Sequence, residues 1–134
     1  MTAGKMIAGE VQKAIYDAMI AANCCDGRIY DGVPPDAVFP YHTIGDEQVS
    51  DDGGSCGNMW IVHCDIHSWS RPDSGSKAEV KAARSAAFEA VSAITDISGF
   101  QFDGVSLETA RTLSDPDGIT QHDVMTIKFL INSL

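Results

Sequence analysis

The sequence predicts a single α+β domain: an antiparallel four-stranded sheet with two helices packed on one face, in the order α-β-β-α-β-β. Three observations predict it. Apolar residues recur at helical spacing in two separate segments. Two pairs of strand-like segments are each joined by a turn rich in glycine and aspartate. The 134 residues suffice for one core and not for two, since a domain takes roughly 100 to 150 residues. Two helices on one face of such a sheet bury every apolar stripe found.

The first helix is expected over Met6 to Ala22, with Ile7, Val11, Ile15, Ala18 and Ala22 as its apolar stripe and Glu10, Lys13 and Asp17 on its other faces. It should stop near Asn23, ahead of Asp26-Gly27, where the glycine can supply a left-handed exit. Pro34, Pro35 and Pro40 then remove backbone donors, which excludes a helix or a central strand before Tyr41. An ordered loop therefore leads into a strand over Tyr41 to Val49, followed by the turn SDDGGSCGN.

Met59 to Ser70 is the clearest strand, because its Trp, Ile and Val content suits a pleated, partly buried surface. Trp60, Val62, Cys64 and Ile66 share one face; Ile61, His63, Asp65, His67 and Trp69 share the other, polar enough to meet solvent or a partner. The two strands are expected to form a long antiparallel hairpin with an acidic, glycine-rich tip. Ser76-Lys77-Ala78-Glu79 has capping-box spacing, in which the hydroxyl and the carboxylate each satisfy an unpaired amide at a helix start. The second helix follows, buried through Val80, Ala83, Ala87, Val91 and Ile94 and ending by Gly99. Val105, Leu107, Thr109, Arg111 and Leu113 then alternate with polar residues, Asp115-Pro116-Asp117-Gly118 turns the chain, and Val124 to Ile131 closes a second hairpin. Met125, Ile127, Phe129 and Ile131 give that last strand an apolar face.

Composition narrows function. With 44% hydrophobic and 21% charged residues the chain matches folded globular proteins rather than disordered ones. Nine basic residues against nineteen acidic give a charge of -10. With no Lys/Arg cluster, tight phosphate binding to nucleic acid is disfavoured. The first residues lack a signal peptide's unbroken apolar region, and no run of about 18 apolar residues predicts a transmembrane helix. Synthesis and residence in the cytosol, without membrane contact, are expected. Cys24, Cys25, Cys56 and Cys64 do not resemble a disulfide framework, and free thiols are expected.

No catalytic, cofactor-binding or metal-binding residues are assigned. His63, Asp65 and His67 point from one strand face, but residues at i and i+4 of a flat strand stand about 13 Å apart at a ~3.3 Å rise, too far for one ion. Cys24-Cys25 lacks CxxC spacing and a nearby cation. No phosphate loop, GxSxG elbow or HExxH helix is present, and Asp115 and Asp117 read as turn residues. A metal-dependent enzyme built on the His63 strand and a free-standing binding module, such as a host-defence inhibitor, are the readings from other classes. Stoichiometric metal would favour the first, a stable monomer that never joins a particle the second.

One resemblance spans almost the whole chain. Arg28-Ile29-Tyr30 with Pro34-Pro35, Phe39-Pro40-Tyr41 with Ile44-Gly45, Trp69-Ser70-Arg71, Ala110-Arg111-Thr112-Leu113, and Asp115-Pro116-Asp117-Gly118-Ile119 occur in order. In that order and spacing the chain resembles the tail-completion, or tail terminator, family of long-tailed phages, which extends to prophages and gene transfer agents. The resemblance implies a structural virion protein without cofactor or catalysis. It would be a subunit of a ring, typically hexameric, that caps the head-proximal end of the tail tube and stops its polymerisation. Its partners would be copies of itself, the tail tube protein and the head connector or stopper, with DNA passing through unheld. A head-tail joining or stopper protein, or a tail tube protein, is the alternative within assembly proteins.

A head-to-tail ring needs two complementary patches on each subunit. The candidate interface residues are Arg28, Tyr30, Pro34, Pro35, Tyr41, Asp51, Asp52, His67, Trp69, Arg71, Arg111, Asp115 and Asp117. Trp69 is read as an aromatic interface anchor or, alternatively, as a part-buried intramolecular residue, and Asp51 and Asp52 are candidate acids for a channel that repels DNA.

Overall fold

A computed structural model describes residues 3–51 and 59–133. Helix α1 spans Ala3–Ala21. Ile7, Val11, Ile15 and Met19, four residues apart, are completely buried; Met19 takes the place expected of Ala18 and Ala22. The chain leaves α1 at Asn23, φ 56°, and Gly27 at φ 83° completes the left-handed exit expected of it. Asn tolerates this left-handed conformation because its short polar side chain can bond locally. Cys25 (φ 46°) and Asp26 (φ 54°) continue the left-handed path through the 3-10 turn Cys24–Gly27, at roughly 1–2 kcal/mol each. Burial of Cys24 anchors the turn to the core.

The sheet has five strands, not four, and is mixed. Strand β1, Ile29–Tyr30, pairs in parallel with His42 and Thr43 of β2, Tyr41–Asp51. The ten residues between them leave the sheet and return, so both segments run the same way. Pro34 and Pro35 do exclude a helix and a strand within that excursion, but Ile29 and Tyr30 precede them and keep their donors and acceptors. A two-residue pairing carries no alternation pattern, so the antiparallel expectation missed it.

The other strands are antiparallel: β3, Met59–Ser70; β4, Phe100–Ser114; β5, Gln121–Ser133. The spatial order is β1-β2-β3-β5-β4, so the two expected hairpins join through β3 and β5. The hairpin tip after Asp51 lies outside the described residues. Helix α2 spans Ala78–Ser92. Ser76 Oγ accepts the Ala78 N–H at 3.1 Å, a local turn two residues on, and the residue flanking the helix is Lys77, without a side-chain cap. Val80, Ala87, Ala90 and Val91 bury α2, and Ile94 packs at the core's margin.

Both helices pack on one sheet face, against Val62, Cys64 and Ile66 of β3 and Met125, Ile127, Phe129 and Ile131 of β5. Burying each such side chain contributes about 1.5–3 kcal/mol. Two irregularities in β4 change its expected face. Leu107 pairs with Ile127, toward the helices, but after the bulge Thr109, Arg111 and Leu113 pair with Thr126, Val124 and His122, on the opposite face. One inserted residue reverses every later side chain.

Candidate functional site: the open face of the sheet

No described helix covers the second face of the sheet. Strand pairing arranges it in rows. Tyr41, Trp69, His122 and Leu113 form one row across β2, β3, β5 and β4; Thr43, His67, Val124 and Arg111 form the next. Because alternate residues of a strand share a face, His63, Asp65, His67 and Trp69 all stand here, as the alternation of β3 predicts.

The rows place aromatic and imidazole rings in contact. Trp69 stacks on His122, ring centroids 3.7 Å apart and planes 7° from parallel. Tyr41 flanks Trp69 at 6.3 Å, and Tyr30 meets Tyr41 edge-on at 5.7 Å. Trp69 Nε1 donates to Thr43 Oγ1 at 3.3 Å. His67 Nδ1 and His122 Nε2 are 2.7 Å apart. Their centroid separation of 4.9 Å is close to that contact plus two ring radii, so the rings meet edge to edge, one donating N–H to the other's lone pair. Gly45 makes room: a Cβ there would lie 2.7 Å from His67 Nε2. Burial, then the neighbouring His67, holds His122 below the ordinary imidazole pKa. Burial raises the Tyr41 phenol, with Tyr30 and Asp115 adding to the effect.

Two hollows that share Asp46 lie along β2 beside these rings. One, about 440 Å³, is lined by Asp31, Val33, Tyr41, Asp46, His67 and Trp69 among others; the second, about 390 Å³, by Asp46, Glu47, Gln48, His63, Asp65 and Thr126. Burial and then the charge of Asp31 push the Glu47 carboxyl above its usual range.

The expected interface residues divide. Tyr30, Tyr41, His67 and Trp69 converge in the ring cluster, and Asp115 acts electrostatically on Tyr41 and His122. Arg111 stands in the row beside His67, on the outer strand. Arg28 serves the loop: its Nε donates to Pro40 O at 2.9 Å and its guanidinium lies 3.6 Å from Asp26. Pro34 accepts from the Ala37 N–H at 3.1 Å, and Pro35 is exposed in the same excursion. Arg71 lies 3.8 Å from Asp117. Asp117 accepts from the backbone of Ile119 and Thr120 and from the Thr120 hydroxyl, so its pKa is lowered chiefly by Thr120; it is a turn residue first. Asp51 pairs with Trp60, far along the hairpin from the rings, and Asp52 lies outside the described residues.

His122 was not among the expected residues. Extending the alternation of the last strand back from Val124 by two positions would have placed it on the same face.

Among the described residues, no three His, Cys, Asp or Glu side chains group to hold a metal ion. Asp65 accepts from the Thr126 hydroxyl at 2.6 Å, and His67 faces His122 in place of His63. Cys24, Cys25 and Cys64 are free, and burial raises all three thiols, Cys25 to about 11 and Cys64 to about 12. They are poor nucleophiles at neutral pH.

The profile of the family described as Tail completion protein gp17 matches residues 13–132. A chain in the virion of a native gene transfer agent particle superposes with a TM-score of 0.82 at 22% identity, covering 95% of this chain and 98% of that one. The gp17 protein of bacteriophage SPP1 superposes with a TM-score of 0.64 at 24% identity, covering 97% and 91%. No curated protein sequence matches significantly.

Proposed function

The chain belongs to the tail completion protein gp17 family, and from that premise we propose that it is a tail terminator: a subunit of a closed ring, six-membered as in the resemblance, seated on the head-proximal end of a tail tube. Tail completion is the role that the family assigns, and it makes the protein a structural component of a phage-like tail. The ring stops the tube from lengthening and presents its other side to the head connector or stopper, and DNA crosses its channel.

The observation that carries this reading is the open sheet face. A domain that leaves Trp69, Tyr41 and paired histidines on one uncovered face holds amphipathic anchors where an interface needs them. The Pro34-Pro35 excursion and the β4–β5 turn at Asp115 to Gly118 flank it and supply further contact surface. The charge of -10 supports a channel that repels DNA phosphates rather than gripping them.

Electron microscopy of particles produced without the protein tests the role. Overlong or unjoined tails are expected. Normal tails with filled heads that leak DNA would reassign the protein as a stopper. Light scattering of the protein with and without purified tail tubes tests ring formation, because weak head-to-tail contacts gain effective concentration on a template.

A further inference from the structure

The two hollows along β2 share Asp46 at the margin of the uncovered sheet face, and the larger one, with Asp46 at its boundary to the other, is a groove. This larger hollow combines Tyr41, Trp69 and Val33 with Asp31 and Asp46. The other adds Glu47 and Asp65 beside Asp46. Among the described residues, neither a lysine nor an arginine lines either lobe. A face of this kind calls for an occupant with a flat apolar surface and a positive charge. Guanidinium has both: it stacks on aromatic walls and donates in a fork to carboxylates, whereas an ammonium is a compact, strongly hydrated point charge.

We infer that this groove docks an arginine-bearing segment of a different protein, the side chain lying along Tyr41 and Trp69 with its guanidinium at Asp46 and its acidic neighbours. The inference goes beyond the ring reading, because the groove is complete within one subunit. Net charge favours a basic partner over a second copy as the occupant. Each copy carries -10, three of its four arginines, Arg28, Arg71 and Arg84, lie in ion pairs, and the fourth, Arg111, is exposed on β4, at the opposite edge of the sheet from β2. The groove itself gains from such a partner. Like charge from Asp31 bears on Glu47, and an incoming cation relieves that repulsion.

The full chain titrated with the peptide Gly-Arg-Gly-Arg-Gly, followed by NMR, tests this. The Trp69 indole and His67 ring signals are expected to shift while those of Trp60, packed against the core, stay. Asp46→Asn with Glu47→Gln, both exposed positions, should weaken binding about tenfold, the scale of one lost charge-assisted contact. Asp96→Asn with Glu89→Gln, elsewhere on the surface, should leave it unchanged, and the lysine counterpart should bind more weakly. Equal weakening by both double variants, or no shift at Trp69, would overturn the inference. So would self-association of the chain that Asp46→Asn with Glu47→Gln abolishes, which would give the groove to a second copy.

Discussion

The two faces of the sheet at its Tyr41 end differ by one residue along each strand and by everything in their chemistry. Tyr41, Trp69, His122 and Leu113 stand on the open face; their immediate neighbours His42, Ser68, Asp123 and Thr112 stand in a row on the helix-covered face. His42, Ser68 and Asp123 are buried to 1% exposure or less. There, His42 Nδ1 bonds Ser68 Oγ at 3.0 Å, Thr112 donates to Asp123 at 2.8 Å, and Arg84 of α2 approaches Asp123 at 3.8 Å. Histidine is the one residue type that the two rows share. On the covered face the fold pairs His42 Nδ1 and Asp123 Oδ2 and leaves His42 Nε2 and Asp123 Oδ1 without a hydrogen-bond partner, at a cost to stability; the open row faces away from the helices.

If that division is right, changes on the covered face cost folding, and changes on the open face cost assembly. The largest expected effect is Phe129→Ala in the covered core, which should lower stability by about 3–5 kcal/mol in urea denaturation of the isolated chain. Next is acid. Burial lowers the pKa of His42 from 6.5 to about 4. The unfolded chain takes up this proton below about 6.5 and the native chain resists, so stability falls as pH drops from 6.5 toward 4. His42 alone accounts for about 3 kcal/mol of that fall. His42→Gln should flatten the dependence; an unchanged slope would place the acid sensitivity elsewhere.

Trp69→Ala comes third. It removes the stack on His122 and the contact with Tyr41, and should cost about 1–2 kcal/mol while abolishing attachment to tail tubes in a pull-down assay. A variant that folds and attaches normally would break the comparison. The smallest effect on stability is expected from Gly45→Ala. The obstructing atoms belong to the end of the His67 side chain, which can swing away at a cost of less than about 1 kcal/mol. The move should nevertheless separate His67 from His122, seen as loss of coupling between their ring signals in NMR.

Much of this was legible in the sequence, and the pattern of what was not is physical. Ile7, Val11 and Ile15 mark α1 and the alternation from Met59 to Ser70 marks β3, because burial on one face imposes a period that needs no knowledge of the partner surface. Asp115 to Gly118 announce their turn by local backbone chemistry, and the Gly118 N–H indeed donates to Asp115 O at 3.0 Å. Trp69 and His67 were placed on one strand face for the same reason. The fifth strand, the bulge after Leu107 and the ring contact between His67 and His122 left no such trace. Each is fixed by a residue distant in the chain, 55 positions away for the histidines, or by a single inserted residue that reverses a face.

By itself, then, the sequence determined the two helices, the long strands and the Asp115 to Gly118 turn, which follow from local periodicity and turn chemistry, and its ordered motifs resembled the family to which the chain belongs. Only the tertiary structure decided that the sheet is mixed and five-stranded, that Asn23, Cys25 and Asp26 are left-handed along with Gly27, and that the rings of Tyr41, Trp69, His122 and His67 meet on an open face. Those outcomes depend on register and strand order, which are settled by contacts between segments far apart in the chain.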